Sequence, residues 1–545
     1  MNVLVLGGVA AGTKVAAKLL REDRSCSVTV LTKGKDISYA GCGLPYYVGD
    51  VIHEKSELIV NTPEKFAKLT GAQVKTETEA VAVYPDRHVV EAKDLKTGET
   101  AEYSYDKLVI ATGASPFVPP IQGLDLKNVF VMRTPDDAIG LRAAVEAGEI
   151  KRAVVAGGGF IGLEVAENLA AKGVRTTVID FAPHVLPNFL DPELSEFVEN
   201  KMAGEGIMPM TGVSLEGVEG NGKVEKVLTS KRGLKADALV LAIGIRPNTA
   251  FLEGSGIEMF KGTILTDKYL RTNVEDIYAA GDCAMVTNRQ TGKPAWSPMG
   301  STANIAGRIL AENLGGKSIE YPGVLGTGVA KLPGGLNTGR TGLTETAAKA
   351  EGYDVETVIT VVDDKAHYYP GAGSFIIKLT ADKATRKLLG VQVLGSGAVD
   401  KITDIGVTAI SLGATVDQLA AMDFAYAPPF STAIHPFAHS VNVLMNKLDG
   451  ALESVTPAAY ADGAAEDCEM IDCALAPSLP GKKYLDLTTI SGEVPGLSKD
   501  AKLLLVCAKG KRAYLTQNRL KFYGYTNTKV LEGGTTFTEI ETDEE

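Results

Sequence analysis

Ala153-Val154-Val155-Ala156-Gly157-Gly158-Gly159-Phe160-Ile161-Gly162 is an apolar strand that runs into three glycines and then into the helical stretch Leu163–Lys172. Glycine at these spacings lets the backbone approach a pyrophosphate lying on a helix N-terminus, so the stretch predicts a dinucleotide-binding strand–turn–helix. The following strand, Arg175–Asp180, closes on an acid. A carboxylate there suits ribose hydroxyls and repels a 2′-phosphate, and Phe181–Pro187 supply no Arg or Lys to bind one, so NADH is expected over NADPH. Gly157, Gly159, Phe160, Gly162 and Asp180 are the candidate contacts.

Towards the N-terminus the same grammar recurs in a weaker form. Val3–Leu6 leads into Gly7-Gly8-Val9-Ala10-Ala11-Gly12 and the helical stretch Lys14–Glu22, with Val9 where the middle glycine of the pattern would stand. Two bound nucleotides are therefore expected, the first on Gly7, Gly8, Ala10, Ala11 and Gly12. Leu108–Ala114 and Ile277–Cys283 are further strands ending in small-residue turns, which adds Thr112, Gly113, Gly281 and Asp282; Gly244 is placed with them.

Ser38-Tyr39-Ala40-Gly41-Cys42-Gly43-Leu44-Pro45-Tyr46-Tyr47 puts a cysteine between two glycines. Neither glycine can cover the sulfur and Pro45 cannot continue a ladder, so Cys42 is read as a reactive thiol, with a lowered pKa if a helix N-terminus or a flavin lies near it. The six cysteines, Cys26, Cys42, Cys283, Cys468, Cys473 and Cys507, are too sparse for a disulfide framework and show no zinc-ligand spacing, so no metal is expected.

A chain of 545 residues, 45% apolar, exceeds one hydrophobic core and predicts several domains. Its net charge of −12, with Lys and Arg scattered, argues against a nucleic-acid partner. No apolar run approaches a membrane span and Met1–Leu6 carries no basic leader, so a cytoplasmic protein with no membrane partner is expected.

The order of first glycine turn, Ala111-Thr112-Gly113, second glycine turn and Gly281-Asp282 resembles the flavin-dependent pyridine nucleotide–disulfide oxidoreductases, from residue 1 to about 450. The resemblance implies an α/β fold in which the first turn and Asp282 hold FAD, the second turn holds NAD(P)H, and a third, α+β domain forms a homodimer. It implies an FAD-binding domain over 1–115 and 250–324, an NAD-binding domain over 116–249 and a dimerisation domain over 325–450. Residues 451–467 read as a linker, and 468–545 as a separate tail.

Many members of that family pair two cysteines at C-x-x-x-x-C, but Tyr47 stands at the second position here. One cysteine can cycle as a mixed disulfide or as a sulfenic acid. The oxidase and peroxidase members carry a histidine in the first glycine turn, where this chain has Ala10. Ser38-x-x-x-Cys42-Gly43-Leu44-Pro45-Tyr46 is instead similar to the coenzyme A–disulfide reductases, as are His367-Tyr368-Tyr369-Pro370-Gly371 and Ala425-Tyr426-Ala427-Pro428-Pro429-Phe430. The resemblance implies that Tyr368 and Tyr426 reach the partner subunit's active cysteine. Two departures are visible: Thr32 replaces an acid at the end of the first strand pair, and Gly41 stands where related loops carry Asn.

The tail offers a second thiol, in Cys507-Ala508-Lys509-Gly510-Lys511-Arg512, between the strand Lys502–Val506 and the helical stretch Ala513–Phe522. The loop resembles that of rhodanese domains, which implies a persulfide on Cys507 and loop closure by Arg512. In the matching entry strand, Cys473 replaces the customary residue after Met470-Ile471-Asp472. The leading expectation is an NADH-dependent FAD enzyme that reduces disulfides, persulfides or polysulfides of coenzyme A or a similar thiol. The alternatives are an NADH oxidase or peroxidase working through Cys42 sulfenic acid, and a low-turnover redox sensor or sulfur carrier.

Overall fold

The computed structural model describes residues 1–540, and these divide into two compact units, 1–185 with 202–325, and 186–201 with 326–540.

The first unit contains two five-stranded parallel sheets built alike. One runs in the order Ile277–Ala279, Lys107–Ile110, Asn2–Leu6, Ser27–Leu31, Gln73–Lys75. The other runs Val129–Val131, Ala238–Leu241, Arg152–Ala156, Arg175–Ile179, Met208–Met210. In each, the strand that feeds the glycine turn lies in the middle, the place where an open parallel sheet offers its carboxyl ends to a ligand. Each also inserts a three-stranded antiparallel meander at the same point, Thr78–Ser104 in the first and Leu215–Lys235 in the second. The two halves are thus one design used twice.

Near-continuous Val, Leu and Ile in the central strands reflect burial on both faces. In the first sheet Val3, Val5, Val28 and Val30 pack under Val15, Ala16, Leu19 and Leu20 of the helix Ala11–Glu22, which in turn meets the helix Gly300–Leu314. Each valine or leucine among these contributes about 1.5–3 kcal/mol on burial. This rigid layer carries the glycine turn at its edge.

The second unit holds an antiparallel sheet in the order Gly328–Leu332, Leu336–Gly342, Leu388–Gly395, Ser374–Asp382, Val355–Asp363. The helices Val399–Leu412 and Pro436–Leu448 cover it. Its tail is a parallel sheet in the order Ser454–Val455, Thr528–Leu531, Leu503–Val506, Glu469–Asp472, Lys483–Tyr484, with the helix Lys511–Phe522 packed on it.

Two expected boundaries move. Residues 451–467 are no linker, because Ser454 and Val455 form the tail's edge strand beside Thr528–Leu531 and Pro457–Ala461 is helical. Residues 186–201, expected within the NAD-binding domain, group with the second unit because Lys378, 2% exposed, gathers Asp191 at 3.0 Å, Glu345 at 2.7 Å and Glu193. Those three carboxylates converge on an ammonium group, which offsets their burial.

Candidate functional site

Gly7 and Gly157 both sit at φ +112°, a conformation L side chains rarely adopt. A Cβ on Gly7 would lie 2.0 Å from the Ala111 carbonyl, and one on Gly157 2.1 Å from that of Ala242. At the helix side, Gly12 would meet Gly7 O at 1.9 Å and Gly162 would meet Gly157 O at 1.8 Å. Each glycine is thus required by backbone passing against backbone. Gly159, by contrast, faces open space, which is what a phosphate cradle needs. Two turns of this backbone design fit two dinucleotides. Gly8 approaches Thr32 where Gly158 approaches Asp180, so Thr32 is the structural counterpart of the acid.

Asp180 accepts from Gly158 N at 2.6 Å and from Ala182 N at 2.7 Å, which fixes its carboxylate at the end of the strand. Asp282 pairs with Arg133 at 3.2 Å, and its own carbonyl accepts from Trp296 Nε1 at 2.8 Å. Thr112 Oγ1 donates to Asn248 O at 2.7 Å, Asn248 Nδ2 donates to Thr112 O at 3.0 Å, and Gly113, Gly244 and Gly281 all hold positive φ. Ala10 and Ala11 open the helix at the first turn. Phe160 opens the second.

Cys42 lies in a tight turn, Gly41–Gly43, and is an exposed free thiol. The chain itself does not supply the expected fall in its pKa: loss of water around the sulfur pushes it up first, the Glu164 and Asp282 carboxylates add to this, and Arg133 opposes them. The helix that follows, Leu44–Val48, is too short to help. Cys26 and Cys283, the other cysteines of this unit, are buried.

Two supports of this loop carry no sequence signal of their own. Tyr46 donates to Glu164 at 3.0 Å, joining the cysteine loop to the helix of the second glycine turn. Glu164 falls right after Gly162-Leu163, a spacing that only the turn's geometry makes meaningful. Arg142, from the helix Pro135–Glu146, donates to the carbonyls of Tyr47, Ile52 and His53, each at 3.2 Å, and pairs with Asp50 at 2.6 Å.

In the second unit the structure brings Tyr368 and Tyr426 together, with their hydroxyls 3.5 Å apart on an exposed surface. Tyr426 titrates above its usual value because of that hydrogen bond. In the tail, Cys507 sits at the end of Leu503–Val506, 4% exposed, and its Sγ accepts from Ala513 N at 3.3 Å. Arg512 donates to Ala474 O at 3.1 Å and pairs with Asp486 at 2.6 Å, tying the cysteine loop to the neighbouring connections.

The two dinucleotide-binding turns and one exposed thiol lie in the same unit. Residues 1–302 match the family described as pyridine nucleotide–disulphide oxidoreductase, and 334–438 match its dimerisation domain. The chain belongs to that family and is an FAD-dependent oxidoreductase using NAD(P)H.

Among curated relatives, the "NAD(P)H coenzyme A polysulfide/persulfide reductase" of Pyrococcus horikoshii is 36% identical over 81% of this chain and 98% of its own length. An "NADH oxidase" of Methanocaldococcus jannaschii is 33% identical over 82% of this chain and 99% of its own. The solved NAD-dependent persulfide reductase of A. fulgidus, 36% identical, superposes with a TM-score of 0.92 over 98% of this chain and 100% of that one, so its likeness extends through the tail. No helix among the described residues is long and apolar enough to cross a membrane.

Proposed function

We propose that the protein uses NADH to reduce disulfides, persulfides or polysulfides of coenzyme A or a similar thiol through Cys42. The observation that carries this reading is an exposed thiol, on a turn between glycines, in a unit whose other cysteines are buried. A cysteine without a pairing partner exchanges with a small-molecule disulfide. Its thiolate attacks one substrate sulfur, the S–S bond breaks, and a thiolate or hydrosulfide leaves with the bonding electron pair. FAD, which the Gly7–Gly12 turn and Asp282 would hold, would supply the hydride-accepting chemistry that links NADH to the sulfur of Cys42.

The remaining roles fall to the chain's own residues. Tyr368 and Tyr426 hold the proton that the leaving thiolate takes up; their mutual hydrogen bond and exposure support this. Both belong to the region matched to the dimerisation domain, and exposed Phe430 and Ile434 nearby in sequence suit coverage by a second copy, so we infer a homodimer. Asp180 holds the adenosine ribose of NADH, its carboxylate already fixed by two backbone donors. Cys507 carries a sulfane sulfur as in rhodanese domains, supported by the parallel sheet, the loop at the head of Lys511–Phe522 and the anchoring of Arg512. The free state of all six cysteines fits a reducing cytoplasm.

Mass analysis of the purified protein tests the reading. We expect one FAD per chain and a small thiol disulfide-bonded to Cys42. A Cys42 found only as sulfenic or sulfinic acid, with NADH consumption matched by oxygen uptake, would overturn it in favour of an oxidase.

A further inference from the structure

The tail holds a second sulfur beside Cys507. Cys473 follows directly on the strand Glu469–Asp472, and Cys507 on the neighbouring parallel strand Leu503–Val506, whose last register pair is Asp472 with Val506. The Cys473 N–H donates to the Val506 carbonyl at 2.7 Å, so the ladder continues one step to bring the two cysteines level. Side chains alternate across a sheet. Ile471, Cys473, Leu503, Leu505 and Cys507 accordingly share the core beneath Ala513 and Leu520, whereas Leu504 and Val506 belong to the core on the other face. Facing Cα atoms of paired strands lie about 4.8 Å apart, within the roughly 4.4–6.8 Å that a disulfide spans. Both thiols are free.

We propose that Cys473 is the resolving thiol of the tail: it attacks the inner sulfur of a persulfide on Cys507, closes a Cys473–Cys507 disulfide and expels the outer sulfur as hydrogen sulfide. The inference rests on the reading of Cys507 as a sulfur carrier. One S–S bond breaks as another forms, the bonding pair leaves with the outer sulfur, and the Cys473 proton goes with it, so no outside oxidant or reductant is consumed. Two equivalents of a low-molecular-weight thiol then reopen the disulfide and leave as their own disulfide, the substrate class assigned above to Cys42.

Burial pushes the Cys473 thiol up to about 12, with the charges of Cys507 and Asp472 adding to this, against a hydrogen bond from Thr516 on the covering helix and the backbone of Val506. Exchange runs through the thiolate, which is scarce at neutral pH. Resolution is therefore slow, and a persulfide has time to be handed on before it is discharged.

The test uses the full-length holoenzyme under nitrogen, without NADH, with thiosulfate as the sulfur donor. Samples are quenched by alkylation at intervals for peptide mass analysis and sulfide assay. In the wild type, the Cys507 peptide first gains one sulfur; a Cys473–Cys507 cross-linked pair, lighter by two hydrogens, then replaces it as one sulfide per chain is released. In Cys473→Ser, or Cys473→Ala should the serine variant fold poorly, the persulfide forms equally, outlasts the wild-type one by tenfold or more, as expected when its attacking thiol is gone, and leaves NADH-dependent turnover at Cys42 unchanged. A wild-type persulfide on Cys507 that persists without the cross-link overturns the resolving role and leaves the carrier reading standing. Failure of Cys507 to gain sulfur in any of these proteins overturns both.

Discussion

Glu164 is pushed up to about 7 by burial, against the hydrogen bond from Tyr46 and with the Glu167 charge adding to the rise. A carboxyl raised above its usual value favours the fold while protonated; that contribution is complete below about pH 4.5 and lost as pH rises through about 7. Glu164→Gln keeps a partner for Tyr46 but cannot ionise. Thermal unfolding of the holoenzyme should show the variant more stable than the wild type at pH 8, by up to about 3 kcal/mol, and no more stable at pH 4. A difference that does not change with pH would contradict this. Asp180 works at the same scale. With its carboxylate fixed by Gly158 and Ala182, Asp180→Ala should weaken NADH, relieve the repulsion of NADPH and narrow the ratio of their kcat/KM values. Equal kcat/KM for the two nucleotides in the wild type would remove the argument for NADH.

Among the elements, the short strand Thr528–Leu531 and the residue that ends it hold the tail in place. Glu532, 3% exposed, accepts from Lys447 at 2.7 Å, from Ser454 at 2.6 Å and from the Ile359 backbone at 2.8 Å. Glu532→Ala leaves the Lys447 ammonium without that carboxylate in a buried place. It should cost about 3–5 kcal/mol, read as a lower Tm with the Cys42 reaction intact in the folded fraction. An unchanged Tm would mean that Glu356, 3.2 Å from Lys447, suffices. The elements also divide what could be read from the chain from what could not. The two glycine turns were legible because glycine there is forced by backbone contact, and the helices and strands around them fall within a few residues of expectation. The edge strand Ser454–Val455 was not, since two residues make no period, and the stretch 451–467 read as a linker. Nor were the Lys378 cluster, the Arg142 clamp or the Tyr46–Glu164 pair, because their members meet only after residues far apart in sequence fold together. Cys42 was singled out by its flanking glycines and Pro45, whereas Tyr368 and Tyr426 were singled out only by resemblance, and the structure places the two tyrosines side by side.

At the scale of the whole molecule, one nucleotide-binding design is used twice within a single unit, and the second unit adds a tyrosine pair and a tail built on a parallel sheet. If Cys42 alone meets the substrate, the hydride step is independent of sulfur and only the substrate step depends on that thiol. Rapid-mixing measurement on Cys42→Ser separates the two directly. Reduction of the bound flavin by NADH should proceed at close to the wild-type rate, while NADH-dependent reduction of coenzyme A disulfide or persulfide falls to background. Turnover of those substrates at the wild-type rate in Cys42→Ser would contradict the account.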